Sequence, residues 1–256
     1  MTGPRPLKSP PKVAFCKLDA SNSFLPNSYK PMSFLSTIHW VVWKDLISEW
    51  RTRETISSML FFALIVILVF SFSFAMDQDA ARQLIAGIIW VAFTFTGIIG
   101  IGKSFTSELQ NDCIESLQMS PVPKGAIYLG KVAANFLFMF AVEILLFPLF
   151  VIFFNLEVVE AVGMLFLVFF LATLGLSAVG TLFSALTVQI RAREVMLPVL
   201  LLPLAVPVMI AAVEATRGAL NGDPYAFYSQ WLHLLVIFDI IFTVVSFWLF
   251  EFILDS

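Results

Sequence analysis

Three sets of residues in this chain have the types and spacing to do chemistry. Gly97 to Ser104, GIIGIGKS, matches the phosphate-loop pattern G-x-x-x-x-G-K-[ST] letter for letter. Glu143 and Asp239 are carboxylates embedded in long apolar runs, where a charge is costly and marks either a protonated packing residue or the lining of a polar route. Lys103 to Tyr128, KSFTSELQNDCIESLQMSPVPKGAIY, is the longest polar interruption between two apolar segments. Within it Phe105, Leu109, Cys113, Ile114 and Leu117 recur at helical spacing, with Glu108, Asp112 and Glu115 in the remaining positions, and Pro121 and Pro123 follow. That pattern predicts a short amphipathic helix. On the surface of a membrane domain, such a helix is how a separate motor subunit would deliver force. The plain alternative is a solvated loop between helices.

The phosphate-loop match is a coincidence of letters. A working phosphate loop follows a strand, opens a helix and belongs to a soluble α/β domain that also supplies a metal-binding carboxylate. Here the glycines lie in an apolar membrane segment, so they read as small residues that let helices approach closely, with Lys103 snorkelling at the boundary. No group of His, Cys and carboxylates has metal-ligand spacing, and the two histidines, His39 and His233, fall on opposite sides of the membrane. No Ser/His/Asp or Cys/His arrangement has a candidate either. The expectation is a transporter or scaffold subunit, with no catalytic residue, metal or nucleic-acid partner of its own.

The elements that must position these residues follow from composition. Hydrophobic residues make up 59% of the 256, charged ones 13%, and there are 28 Phe. With a mean hydropathy of +0.92, this is the profile of an all-α polytopic membrane protein. Six runs are long enough to cross a bilayer: Ile56 to Met76, Leu84 to Gly102, Ile127 to Phe154, Ala161 to Val188, Val195 to Val213 and Trp231 to Leu254. The third and fourth exceed what a bilayer requires, which predicts tilt or extension past its surface. Of the 15 Lys and Arg, only Arg82 and Arg217 fall on one side of the resulting topology. That bias places both termini in the cytosol. Cys16 and Cys113 then lie on the reducing side, which argues against a disulfide.

Residues 1–33 carry Pro4, Pro6, Pro10, Pro11, Pro26 and Pro31 and no apolar run, so they read as a disordered extension before a permease domain over 34–256. From Phe34 to Glu54, Leu35, Ile38, Val42, Trp43, Leu46, Ile47 and Trp50 share one face, and Thr37, Lys44, Ser48 and Arg51 the other. This predicts an interfacial helix with Trp at headgroup depth; the alternative is a helix packed on a soluble partner. Pro148 interrupts the third span, and Pro198, Pro203 and Pro207 interrupt the fifth, which is expected to be broken or bent. Bends at membrane depth are tolerated where helices pack or line a cavity, so Pro203 and Pro207 join Glu143 and Asp239 as candidates for a translocation path.

Several of these stretches, taken in order, resemble the CcmB family, the B subunit of the heme exporter of cytochrome c maturation. They are Gly87-Ile-Ile-Trp-Val-Ala92, Phe105 with Glu108-Leu-Gln-Asn-Asp112 and Glu115-Ser-Leu-Gln-Met-Ser-Pro121, Leu129-Gly-Lys131, Ala185-Leu-Thr-Val188 and Leu202-Pro-Leu-Ala-Val-Pro207. The likeness runs from about Phe34 to Leu254. It implies a six-helix permease of the ABC-2 exporter type in the bacterial inner membrane, paired with a cytosolic ATP-binding subunit and a heme-handling membrane subunit, with room for a homodimer. Phe105, Glu108, Leu109, Asp112, Glu115, Leu117, Ser120 and Pro121 would then couple to the ATPase, and heme would enter as cargo and not as a cofactor. Cys113 stands where that family often has Gly, and the tryptophan-rich heme motif of the partner subunit is absent. Two other readings stay open on the residues alone: a secondary transporter using Glu143 and Asp239 as proton or ion sites, and a non-transporting scaffold.

Overall fold

The computed structural model describes residues 34–74, 78–104, 124–156, 158, 160–187, 190 and 192–255, and all regular structure among them is helical. The expected extension over 1–33 and the expected amphipathic helix between Phe105 and Pro121 lie outside the described residues. Seven helices follow in order: α1 (Phe34–Thr52), α2 (Glu54–Ser73), α3 (Gln78–Ser104), α4 (Lys124–Phe154), α5 (Val162–Thr187), α6 (Arg193–Asn221) and α7 (Tyr225–Asp255). The last six are each long and apolar enough to cross a membrane. At 31 residues, α4 would measure about 46 Å, well over the ~30 Å hydrocarbon core, as its sequence length predicts.

The six spans pack antiparallel. At one end, called here the α1 end, Gly130 of α4 lies beneath Val41 of α1, and Gly125 at the start of α4 faces Phe247 near the end of α7. At the far end, Gly218 of α6 meets Tyr228 of α7. α3 and α5 are the most enclosed spans and α2 the most exposed. Lipid tails are as apolar as Leu, so contact between spans rests on close packing and hydrogen bonds and not on water exclusion. Glycines supply the first: a Cβ on Gly97 would meet Met139 of α4, and one on Gly180 would meet Ile101 of α3. The core toward the far end is aromatic, with Trp90, Phe93, Phe147, Phe150 and Phe169 in edge-on contacts at 5.3–5.9 Å between ring centroids.

The corners are built from local chemistry. Between α1 and α2, Arg53 takes a left-handed φ of 52°, and Glu49 Oε1 accepts the backbone N–H groups of Thr55 (2.8 Å) and Ile56 (3.1 Å). A carboxylate from the preceding helix thus satisfies two of the four donors that open α2. After α6, Gly222 at φ 71° closes the helix with bonds from its own N–H to Ala219 and from Asp223 to Gly218, and Pro224 prevents continuation.

Two expectations are corrected. Of the expectation that the fifth span is broken or bent, the break is absent: α6 runs as one helix from Arg193 to Asn221 through Pro198, Pro203 and Pro207. Its buried face, Leu197, Leu201, Ala205, Val208, Ala211, Ala212 and Ala215, is packed on neighbouring spans that hold it helical despite the lost backbone bonds. In α1 the faces divide differently at Thr37, expected on the polar face but buried at 5% exposure. The α1 surface that packs on α4 is the one carrying Ile38, Val41 and Asp45.

Candidate functional site

The coupling candidates Phe105, Glu108, Leu109, Asp112, Glu115, Leu117, Ser120 and Pro121 are outside the described residues, but the two ends they connect, Ser104 of α3 and Lys124 of α4, are not. Those ends meet at a polar node. Lys131, two turns into α4 and only 1% exposed, places Nζ 2.9 Å from Asp45 Oδ2 of α1 and donates to the Ser104 carbonyl at 3.1 Å. Lys44 reaches Asp45 Oδ1 at 3.2 Å. One residue before Lys131, Gly130 lacks the Cβ that would otherwise stand 2.7 Å from Val41 Cβ and 3.4 Å from the Ile38 carbonyl, so the α1 backbone can lie directly on α4. A buried ammonium is tolerated only when its donors are used, and here α1 and the end of α3 supply acceptors to a lysine carried by α4.

The interior carboxylates are placed by α5. Glu143 is 2% exposed; Thr173 of α5 donates its hydroxyl to Glu143 Oε2 at 2.6 Å, while Oε1 has no partner among the described residues. Asp239 of α7 is 5% exposed and neither of its oxygens has one. It fits because α5 has glycine opposite: a Cβ on Gly175 would lie 2.5 Å from Asp239 Oδ1. Thr173 and Gly175 are two residues apart, hence about 3 Å along the helix axis but roughly 200° around it. The two acids therefore stand at one level on opposite sides of α5 and do not form a pair. Neither faces lipid.

Other contacts extend the polar seam of α4 and α5 toward the α1 end. Asn135 donates to Thr181 at 2.8 Å, the Tyr128 hydroxyl to the Ala178 carbonyl at 3.1 Å, and Ser184 to the Ile101 carbonyl of α3 at 3.0 Å. Trp90 Nε1 donates to Thr216 Oγ1 of α6 at 2.8 Å within the aromatic core. Pro203 and Pro207 lie on the exposed face of α6 and Pro148 on that of α4, so none of the three lines the interior of a single chain. Gly97 to Ser104 is continuous helix, its glycines set against Met139, Met59 and Leu197, and Lys103 pairs with Glu54 at 3.0 Å. The small-residue reading of that stretch holds.

Sequence reasoning passed over Asp45, Thr173, Gly175, Asn135, Thr181 and Thr216, and placed Lys131 among the charges flanking the connection between the second and third spans and in the Leu129-Gly-Lys131 likeness, without a partner. A signal existed for Lys131. It stands seven residues inside a helix that opens at Lys124, deep enough to require a partner.

Six apolar spans, with buried polar groups hydrogen-bonded at inter-helix seams and an ion pair beneath α1 at one end, define a multi-pass membrane protein built from packed helices. A family model described as "CcmB protein" matches residues 36–252. The chain belongs to the CcmB family. It is 31% identical over 182 residues to the heme exporter protein B of Pseudomonas aeruginosa, covering 71% of this chain and 81% of that protein. It is also 30% identical to the proteins of the same name in Haemophilus influenzae (185 residues, 72% and 83%) and in Escherichia coli K12 (190 residues, 73% and 86%).

Proposed function

We propose that this chain is the membrane permease subunit of a heme exporter in cytochrome c maturation, driven by a separate cytosolic ATP-binding subunit and working beside a heme-handling membrane subunit. The observation that carries this is the family match over residues 36–252, together with relatives of about 30% identity named heme exporter protein B. The excess of Lys and Arg at the α1 end supports an inner-membrane topology with that end in the cytosol. There the 105–121 segment would dock on the ATPase through Phe105, Leu109 and Leu117, with Glu108, Asp112 and Glu115 at the rim, Ser120 and Pro121 closing the element. ATP hydrolysis would drive either heme translocation or release of a loaded heme chaperone.

Glu143 and Asp239 are the interior groups suited to a polar cargo's passage, being enclosed and incompletely hydrogen-bonded. Pro203 and Pro207 would reach such a path only at a surface shared by two subunits, which fits a homodimer. In a secondary transporter Glu143 and Asp239 would be proton or ion sites, and on opposite sides of α5 they would have to work as two separate sites.

Affinity purification of the tagged chain from its native membrane tests the proposal. A stoichiometric soluble ATPase is expected to co-purify. A chain that purifies alone, with heme export and cytochrome c maturation intact in its absence, would overturn it.

A further inference from the structure

Ser104 is the last residue of α3, and Lys124, where α4 begins, is seven residues from Lys131, about two helical turns. One ammonium therefore gathers the end of α3, the α1 helix through Asp45, and α4 itself. Among the described residues, Trp90–Thr216 and Asn135–Thr181 join neutral groups between spans, Thr173–Glu143 joins a hydroxyl and a carboxylate, and the Lys103–Glu54 pair is far more open to solvent, with Glu54 exposed and Lys103 half-buried against Ser58. A buried ion pair is a poor way to add stability, since apolar residues of similar volume hold helices together as well, and its best-attested use is to fix a register or a switch. Gly130 beside it serves the same register, because any side chain there would lift α1 off α4.

We propose that the Asp45–Lys131 pair, closed onto the Ser104 carbonyl, is the joint that makes α1, the end of α3 and α4 move as one body when an ATP-driven movement acts on this end of the protein. This rests on the proposed function. Lys131 and Asp45 are then positioning residues of the transport cycle: they touch neither nucleotide nor cargo, and they decide whether displacement of the α1 end reaches the spans. Without the pair, α3 and α4 could be displaced while α1 slips on Gly130, and ATP would be spent without cargo handling.

Four variants of the tagged chain, purified with their native partners, test this: Asp45→Asn, Lys131→Gln, the exchange Asp45→Lys with Lys131→Asp, and the apolar pair Asp45→Leu with Lys131→Met. Co-purified ATPase, ATP hydrolysis by the complex and holocytochrome c yield in cells are measured for each. The single variants and the apolar pair are expected to retain the ATPase and its turnover while holocytochrome c falls roughly tenfold, in the range typical of a lost coupling between sites, and the exchange should recover most of it. An assembled apolar pair that matures cytochromes as the unmodified chain does would overturn the proposal. So would loss of the complex in all four variants, which would make the pair a structural clamp. Failure of the unmodified chain to bring down an ATPase would instead overturn the proposed function, so the two failures are distinguishable.

Discussion

At the scale of single residues, the hydrogen bond from Trp90 to Thr216 isolates one polar contact inside an apolar core. Trp90→Phe keeps a ring against Phe93 and Phe169 and removes only the donor, and Thr216→Val removes the acceptor at nearly constant shape. Bonds of this kind between membrane helices are worth about 0.6 kcal/mol on average and at most about 1.7. A double-mutant cycle on unfolding in detergent is expected to return a coupling of that size, and additive effects would show that the bond contributes nothing. Gly130 is expected to be far less tolerant: Gly130→Leu must displace Val41 and meets the Ile38 backbone, so overpacking of about 1–3 kcal/mol should appear as a lower melting temperature, with Gly130→Ala intermediate. For the buried acids, Glu143→Gln can still accept from Thr173, whereas Glu143→Leu and Asp239→Leu cannot replace a carboxylate. Both Leu variants are expected to assemble yet reduce cytochrome c maturation. Full activity in both would return Glu143 and Asp239 to packing roles.

At the scale of elements, the corner between α1 and α2 depends on Glu49. Glu49→Ala leaves the Thr55 and Ile56 N–H groups without their carboxylate, at a cost of about 0.5–2 kcal/mol, and Glu49→Gln, which keeps an acceptor, should cost less. Equal melting temperatures for the two would mean that water caps α2 as well. The glycine-rich end of α3 behaves as packing surface, so Lys103→Ala is expected to leave nucleotide binding by the complex unchanged. Its exposed pair with Glu54 adds about 0.2–1 kcal/mol of stability at most. Loss of nucleotide affinity on this substitution would restore the phosphate-loop reading of Gly97 to Ser104. α6 shows why proline is a weak stop signal in a membrane protein: enclosed by neighbours along Leu197 to Ala215, it continues as helix where a solvent-exposed one would be expected to break.

At the scale of the whole molecule, the proposed topology and the proposed docking of an ATPase are tested together. Reporter fusions at both termini are expected to be active only in the cytosol, and a reporter on the turn between α6 and α7, near Gly222 and Asp223, only outside it. The opposite pattern would invert the proposed orientation. With that settled, a Phe105/Leu109/Leu117 triple alanine variant is expected to lose the ATPase in detergent pull-downs, since buried interface anchors commonly contribute 2 kcal/mol or more each (order of magnitude). Glu115→Ala should weaken capture mainly at raised ionic strength. Undiminished capture by the triple variant would move the docking site to the connection between α5 and α6, around Arg191 and Arg193.

The number and approximate limits of the spans were legible in the sequence, because a bilayer asks only for length and apolarity and leaves each helix to satisfy its own backbone. So was the role of the glycines after Thr96, since small residues at a helix contact need no particular partner to be recognised. Helix ends were less so: the fifth span was read to Val213, but the chain stays helical to Asn221, where Gly222 rather than loss of hydropathy ends it. What the sequence could not specify was which residues meet. Lipid and protein interior are equally apolar, so no periodicity marks the inward face of a span. The contacts that place the buried groups join residues 30 positions apart for Glu143 and Thr173 and 126 for Trp90 and Thr216. Only the packing of α1 on α4 turns Lys131 from a flanking charge into the partner of Asp45, and only the bare backbone of Gly175 makes room in the core for Asp239.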